Sequence, residues 1–126
     1  MKKVITYGTF DYFHYGHFML LKRAADLGDS LIVGLSSDEF NTKKNKQSLL
    51  SFDKRKEVLE SFNFIDLIIT ENSWEQKIGD IKNHNIDILF MGSDWSMKFD
   101  YLKKYCDIVY VPRTPKISTS LIKKIL

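Results

Sequence analysis

Short apolar runs alternate with longer amphipathic segments along the chain. The apolar runs are rich in β-branched and aromatic residues and end at glycine or polar residues, which is typical of buried strands. Five such runs occur, at 4–7, 31–35, 66–70, 87–91 and 108–111. Because these runs are apolar on both faces, we expect the strands to lie in the middle of the molecule.

The segments between the runs carry helix signals. Apolar residues at helical spacing from Leu20 to Leu27 predict a helix over 16–28 that stops at Gly28. A short helix is predicted to begin at Asp38, and Ser51 is placed to cap the next one.

Later segments add three more helix predictions and one loop. Ser73 and Gln76 match a capping box, with Ser73 as the N-cap and Gln76 reaching back to it. Helices are also predicted over 99–105 and 118–126. Residues 41–47 are polar and rich in lysine, which predicts a mobile loop.

The alternation of strands and helices indicates an α/β fold. Strands that are apolar on both faces predict a parallel sheet covered by helices. A length of 126 residues leaves room for one core, so residues 1–126 are predicted to form a single domain. Such sheets bind ligands beyond the carboxyl ends of their strands, where the strand order switches. The residues directly after each strand are therefore the candidates for a site.

The charge balance excludes several classes of protein. The chain carries 19 Lys and Arg against 16 Asp and Glu, a net charge of +3, whereas nucleic-acid binders usually have a large basic excess. Cys106 is the only cysteine, which excludes an intrachain disulfide and a multi-cysteine zinc site. No stretch approaches the roughly 18 apolar residues of a membrane span, and the N-terminus does not match a signal peptide. We expect a cytoplasmic protein that binds neither nucleic acid nor membrane.

The turn after the first strand holds the most informative residues. His14 and His17 lie on either side of Gly16, where the next helix is predicted to begin. A helix N-terminus offers unpaired N–H groups and partial positive charge, and both imidazoles can donate to phosphate oxygens. The turn matches neither a Walker A loop nor a dinucleotide-binding glycine fingerprint. We therefore predict a phosphate site of another kind.

Two other interpretations of the histidine pair stay open. One histidine can cap the helix while the other is buried in the core. The pair can also bind a metal together with Asp11 and Asp94, although its spacing is not that of a His-Glu-x-x-His zinc site.

A second candidate anion site follows the fifth strand. Residues 112–120 combine Arg113 and Lys116 with hydroxyl side chains at the start of the last predicted helix. Capping by Ser118 explains a hydroxyl group at this point, but it does not explain the arginine.

Lysines and one carboxylate complete the candidates. Lys43, Lys44 and Lys46 are either a solvated charge run or groups that close over a triphosphate. Lys77 is placed to bind a second anion, although an isolated lysine on a helix most often faces solvent. Asp94 follows the fourth strand, where it either lies in the site or caps a turn.

Two of these segments resemble known signatures. Residues 14–17, His-Tyr-Gly-His, match the His-x-Gly-His signature of the cytidylyltransferase branch of the nucleotidyltransferases. Residues 113–120 resemble its second signature, Arg-Thr-x-x-Ile-Ser-Thr-Thr, with Ser120 keeping the hydroxyl of the final threonine. The resemblance spans nearly the whole chain and is strongest to members that use glycerol 3-phosphate. Those members usually have Glu and Gly where this chain has Ser96 and Met97.

The resemblance implies a fold and a role for each matching residue. The fold would be Rossmann-like, with three layers and a five-stranded parallel sheet of the nucleotidylyl transferase type. His14, His17 and Arg113 would be catalytic, and Lys44 and Lys77 would bind the phosphate of the acceptor. The residues implied to bind CTP are Thr9, Phe10, His14, Tyr15, Gly16, His17, Lys46, Asp94, Arg113, Thr114, Pro115, Lys116, Ile117, Ser118, Thr119 and Ser120.

The implied reaction transfers CMP from CTP to glycerol 3-phosphate, and a homodimer would supply CDP-glycerol for teichoic acid or related surface polymers. The second pKa of a phosphate monoester is about 6, so the acceptor is already ionised and needs no activating base. Mg²⁺ would arrive with CTP, without an assigned protein ligand. The alternatives are another polyol or amino-alcohol phosphate, ATP in place of CTP, or a catalytically idle nucleotide-binding module.

Overall fold

The computed structural model describes residues 1–112, in which five parallel strands form one sheet. The strands are β1 (Lys3–Gly8), β2 (Ser30–Ser36), β3 (Leu67–Glu71), β4 (Ile88–Gly92) and β5 (Asp107–Val111). Each predicted strand is confirmed to within one residue at each end. The order across the sheet is β3-β2-β1-β4-β5, so the strand order switches between β1 and β4.

Four α-helices and two 3₁₀ turns connect the strands within this part of the chain. The helices are α1 (Tyr15–Asp26), α2 (Asp38–Lys43), α3 (Phe52–Glu60) and α4 (Gln76–Asn83). The helix predicted over 99–105 is instead a 3₁₀ turn at Asp100–Leu102, preceded by another at Ser93–Trp95. None of the helices in residues 1–112 has the length and apolar character needed to cross a membrane. The predicted helix over 118–126 lies outside the described residues.

Side chains alternate between the two faces of the sheet, so neighbouring residues of β1 enter different cores. Val4 packs with Leu21 of α1 and Leu59 of α3. Ile5 packs on the opposite face with Ile81 of α4. Helices therefore cover both faces, and the three-layer α/β fold is confirmed.

The polar segment 41–47 is only partly a loop. Helix α2 extends to Lys43, and Asn41 is 1% exposed. Ser37 caps this helix by accepting a hydrogen bond from the N–H of Phe40, and Asp38 lies in its first turn, where the helix dipole favours a carboxylate. The helix predicted to begin at Asp38 is therefore confirmed, and it extends through the first three residues of the segment predicted as a loop.

The helix after β3 begins later than its capping box predicts. Its N-cap is Glu75 rather than Ser73, and no side chain caps it. The Gln76 half of the prediction is correct, because Oε1 of Gln76 accepts hydrogen bonds from the N–H groups of Ser73 at 3.1 Å and Asn72 at 2.6 Å. The glutamine therefore orders the turn that leads into α4.

Candidate active site

The turn between β1 and α1 lies at the carboxyl end of the sheet, beside the switch in strand order. The ring of Phe10 packs on Gly8, where a Cβ would come within 2.8 Å of Phe10 Cε2. Phe10 and Tyr12 have left-handed backbone conformations, with φ of 51° and 44°, which are costly for bulky residues. Such strain persists where surrounding packing fixes the backbone, as it does in ligand-binding turns.

His14 and His17 cap the start of α1. His14 is the N-cap, and its Nδ1 accepts a hydrogen bond from the N–H of Gly16 at 3.0 Å. Nδ1 of His17 accepts from the N–H of His14 at 3.3 Å. The two rings are stacked, with their centroids 3.8 Å apart. Helix capping is therefore part of the structure, and it involves both histidines.

Capping determines which ring nitrogen carries the proton. Because Nδ1 of each ring accepts a backbone N–H, the neutral imidazole carries its proton on Nε2. Nε2 lies on the side of the ring away from the capped backbone. Capping and donation to a phosphate oxygen are thus compatible functions of the same side chain.

Burial keeps both imidazoles neutral in the protein without ligand. It lowers the pKa of His14 below its usual range. It also lowers the pKa of His17 to about 3, where His14 adds to the effect and Asp11 opposes it. The rings of Phe10 and Phe13, each 5.4 Å from the His17 ring, supply apolar surroundings. A bound anion would raise both pKa values, because it favours the protonated form.

Asp11 is buried in the same turn and ties it to the segment before α3. Its Oδ2 accepts a hydrogen bond from the N–H of Leu49 at 2.8 Å, and its Oδ1 accepts from the N–H of Leu50 at 3.0 Å. The structure thus gives Asp11 an anchoring role beside the histidines. The metal interpretation did not anticipate this role.

Arg55 of α3 is a buried hub that the sequence patterns did not reveal. Its Nη1 donates to the backbone oxygens of Thr9 at 3.0 Å and Ser36 at 2.8 Å. Its Nε donates to the oxygen of Leu50 at 3.1 Å, and its Nη2 donates to Oδ1 of Asp38 at 2.7 Å. The guanidinium therefore joins the ends of β1 and β2 to α2. The one signal available in the sequence was the residue type, because most basic residues of this chain are lysines. Arginine has a rigid fork of donors that can bond several acceptors at once, and lysine does not.

The two lysines implied to bind the acceptor meet in one buried network. Nζ of Lys77, a residue only 1% exposed, donates to Oε2 of Glu71 at 2.8 Å. Oγ of Ser36 donates to Oε1 of Glu71 at 3.0 Å and accepts from Nζ of Lys44 at 2.8 Å. The expectation that an isolated Lys77 faces solvent is wrong, because a buried carboxylate balances its charge.

Aromatic rings surround the ammonium groups of this network. Nζ of Lys77 lies 4.5 to 5.2 Å from the ring centroids of Tyr7, Phe99 and Trp74. Nζ of Lys44 lies 4.6 Å from the centroid of Phe40. The faces of aromatic rings attract cations and offset part of the cost of removing them from water. Burial nevertheless lowers the pKa of Lys44 to about 8.

The other described candidates surround the same end of the sheet. Oγ1 of Thr9 donates to Oδ1 of Asn41 at 3.0 Å. Tyr15, at the first position of α1, is 57% exposed. Lys46 is exposed after α2 and lines a cavity of about 320 Å³ with Asn41. Asp94 is exposed in the 3₁₀ turn after β4. Their contacts with the nucleotide stay predictions.

The second signature lies outside the part of the chain that the structure describes. This applies to the predicted catalytic Arg113 and to seven predicted CTP-binding residues, Thr114, Pro115, Lys116, Ile117, Ser118, Thr119 and Ser120. Their roles rest on the resemblance alone.

Comparison with known proteins covers nearly the whole chain. The family model described as Cytidylyltransferase-like matches residues 5–125. A glycerol-3-phosphate cytidylyltransferase from Bacillus spizizenii is 59% identical over 124 residues, which are 98% of this chain and 96% of that protein. The protein of the same name from Staphylococcus aureus is 50% identical over 124 residues, 98% of this chain and 94% of that protein.

Solved structures with lower identity share the fold. A lipopolysaccharide core biosynthesis protein from Thermoplasma volcanium gives a TM-score of 0.76 at 22% identity, covering 90% of this chain and 97% of that one. A putative nicotinate-nucleotide adenylyltransferase from Vibrio parahaemolyticus gives 0.66 at 14% identity, covering 99% of this chain and 81% of that one. At these identities the likeness shows the fold alone.

Proposed function

The chain belongs to the cytidylyltransferase-like family, and from this premise we propose that it transfers CMP from CTP to glycerol 3-phosphate. The products are CDP-glycerol and pyrophosphate. The observation that carries the proposal is the placement of two candidate anion sites at one end of the sheet. A histidine pair at a helix N-terminus suits a nucleoside triphosphate, and the Lys44–Lys77 network suits a phosphate monoester.

The acceptor phosphate is itself the nucleophile. One of its oxygens attacks the α-phosphorus of CTP, and the bond from that phosphorus to pyrophosphate breaks on the opposite side. The oxygen is already ionised at neutral pH, because the second pKa of a phosphate monoester is about 6. The protein therefore has to align two anions and stabilise the charge that spreads between them.

His14 and His17 are the groups that face the developing charge. Each carries its proton on Nε2, and each is held by a backbone hydrogen bond at Nδ1. A donor whose position is fixed before substrate binds needs little reorganisation during the reaction. The rise in imidazole pKa beside the phosphates would strengthen both hydrogen bonds in the transition state.

We propose that Mg²⁺ enters the site with CTP. Among residues 1–112, no group of three or more His, Cys, Asp or Glu side chains is arranged to hold a metal ion. Both carboxylate oxygens of Asp11 accept backbone N–H groups. The triphosphate oxygens would then supply most of the ligands, and the ion would neutralise charge on the leaving pyrophosphate.

The same family premise supports three further proposals. We propose that the protein is a homodimer, that it works in the cytoplasm, where CTP is made, and that its product supplies teichoic acid or a related surface polymer. The molar mass measured by light scattering in solution tests the homodimer. A mass of one chain, about 14.8 kDa, would contradict it.

A pyrophosphate-release assay tests the reaction. CTP and ATP are each paired with glycerol 3-phosphate, another polyol phosphate and an amino-alcohol phosphate. We expect the highest kcat/KM for CTP with glycerol 3-phosphate. Faster turnover of another acceptor would overturn the acceptor assignment, and faster turnover with ATP would overturn the nucleotide assignment. No turnover with any pair would overturn the enzymatic function.

A further inference from the structure

The proposed acceptor site contains a carboxylate where an anion is expected to bind. Glu71 is the last residue of β3 and is 2% exposed, yet it lies within the network of Lys44 and Lys77. A carboxylate beside an incoming phosphate repels it. A buried charge at this position therefore has to contribute something that outweighs the repulsion.

We propose that Glu71 is a positioning residue that holds the ammonium groups of Lys44 and Lys77 where the acceptor phosphate binds. The inference rests on the function proposed above and assigns Glu71 a role within the same site. Glu71 contacts Lys77 directly through Oε2. It reaches Lys44 through the hydroxyl of Ser36, which accepts from the lysine and donates to Oε1.

The sheet supplies the rigid half of this network. Ser36 and Glu71 are paired residues at the ends of the neighbouring strands β2 and β3. Lys44 comes from the C-cap of α2 and Lys77 from the first turn of α4. Long lysine side chains lose considerable rotamer entropy when they are fixed, and the two strand ends impose that order before the acceptor binds.

A close aromatic contact fixes the floor beneath Lys77. The ring of Tyr7 fills the space above Gly34, where a Cβ would clash with Tyr7 Cδ1. The hydroxyl of Tyr7 donates to Oδ2 of Asp80 at 2.8 Å, which holds the ring in place. Lys77 is thus confined between this ring and Glu71.

The charges around Lys44 give Glu71 a second effect. The groups that face Lys44 are Glu71 from β3, Lys77 from α4, Arg55 from α3, and Lys46 from the segment after α2. Burial and the three cations lower the pKa of Lys44, whereas Glu71 raises it. Without the carboxylate, Lys44 would lose its proton at a lower pH and bind phosphate less well.

The test is the pH dependence of kcat/KM for glycerol 3-phosphate between pH 7 and 9.5, in wild type and in Glu71→Gln. Over this range the acceptor stays a dianion, so the pH dependence of kcat/KM reports the ionisation of groups on the free enzyme. For wild type, we expect a fall centred near the Lys44 pKa of about 8. For Glu71→Gln, we expect this fall about one pH unit lower and a loss of about fivefold at pH 8, with kcat/KM for CTP changed less than about threefold.

Two further variants make the result decisive. Glu60→Gln removes an exposed carboxylate at the end of α3. It should leave kcat/KM unchanged for the acceptor at each pH and for CTP. Ser36→Ala cuts the link to Lys44 alone and should lower kcat/KM for the acceptor by about threefold. If Glu71→Gln fails to fold, the Ser36→Ala variant tests the inference instead. A wild-type kcat/KM for the acceptor in Ser36→Ala would then overturn the inference.

The remaining outcomes separate this inference from the proposed function. An unchanged acceptor profile in Glu71→Gln, with wild type active, would overturn the role of Glu71 and leave the function standing. Equal losses for CTP and acceptor would also overturn it, because they would indicate general disturbance of the fold. Absence of wild-type turnover with glycerol 3-phosphate would overturn the proposed function itself.

Discussion

The two proposed anion sites at the carboxyl end of the sheet are built in opposite ways. The histidine site uses side chains that burial keeps neutral, and they hydrogen-bond to the start of a helix. The lysine site uses charged side chains that are buried with a carboxylate and enclosed by aromatic rings. One site supplies directed N–H donors, and the other supplies charge.

The difference follows from the cost of burying charge. A neutral imidazole with a satisfied Nδ1 is removed from water at modest cost, whereas an ammonium group needs a counter-ion. The triphosphate would bring its own cation as Mg²⁺, so neutral donors suffice on that side. Glycerol 3-phosphate would bring none, which accounts for two lysines on the other side. The contrast predicts that substitutions at the two sites affect different kinetic parameters.

Loss of either histidine is expected to give the largest effect. His14→Ala and His17→Ala should each lower kcat by about 100-fold or more, because each removes a donor that acts on charge developing in the transition state. Steady-state pyrophosphate release at saturating CTP and acceptor measures the effect. Turnover at the wild-type rate in either variant would show that the pair only caps the helix.

Amide substitutions separate the two functions of His17. Asn places an oxygen near the position of Nδ1 and keeps the bond to the His14 N–H, but it lacks a group at Nε2. Gln places an N–H near Nε2 instead. We expect His17→Gln to retain more activity and His17→Asn to retain more stability. The reverse order would contradict the assigned proton on Nε2.

Loss of a lysine should weaken acceptor binding more than nucleotide binding. Lys44→Ala and Lys77→Ala should each raise KM for glycerol 3-phosphate by about 10- to 100-fold, the equivalent of one charge-assisted hydrogen bond. Lys77→Ala also leaves Glu71 buried without its ion pair, so its thermal unfolding is measured alongside. A rise in KM for CTP alone would show that the sites are assigned the wrong way round.

The strands were predictable because each one is apolar on both faces. This pattern placed both ends of all five strands to within one residue. The order β3-β2-β1-β4-β5 was not predictable in the same way, because it depends on contacts between distant segments. The N-cap of α4 was predicted at Ser73, two residues too early. Gln76 does accept the N–H of Ser73, but it does so as the first residue of the helix rather than the third.

The histidine site was more predictable than the lysine site for a related reason. His14 and His17 form a local pattern at a helix start, and their main contacts lie within three residues. Glu71 and Ser36 are 35 residues apart, and Arg55 bonds across 46 residues to Thr9. No local pattern marks a charge whose burial depends on such distant partners.

The stability of the protein should fall in acid because of His17. Its pKa is about 3 in the folded protein, below the value of about 6.5 expected when unfolded. The unfolded state therefore binds more protons than the folded state. The contribution of His17 to the free energy of unfolding is complete above pH ~6.5 and is lost as the pH falls toward the folded pKa. From this residue, the free energy of unfolding changes with pH by at most about 1.4 kcal/mol per pH unit. Urea unfolding from pH 7.5 to 4.5 should give a shallower slope for His17→Asn, and equal slopes would contradict the shifted pKa.

The smallest expected effect concerns Met97, two residues before Phe99, whose ring lies beside Lys77. Met97 has a left-handed backbone, with φ of 68°, and its side chain is 76% exposed. The resemblance noted in the sequence implies glycine at this position, and glycine adopts this conformation without strain. Met97→Gly should raise the free energy of unfolding by about 0.5–1 kcal/mol, because relief of about 1–2 kcal/mol of strain exceeds the added entropy of the unfolded chain. Met97→Ala removes the same side chain but keeps the strain and should give no gain. If Ala stabilises as much as Gly, the methionine side chain decides stability here rather than the backbone.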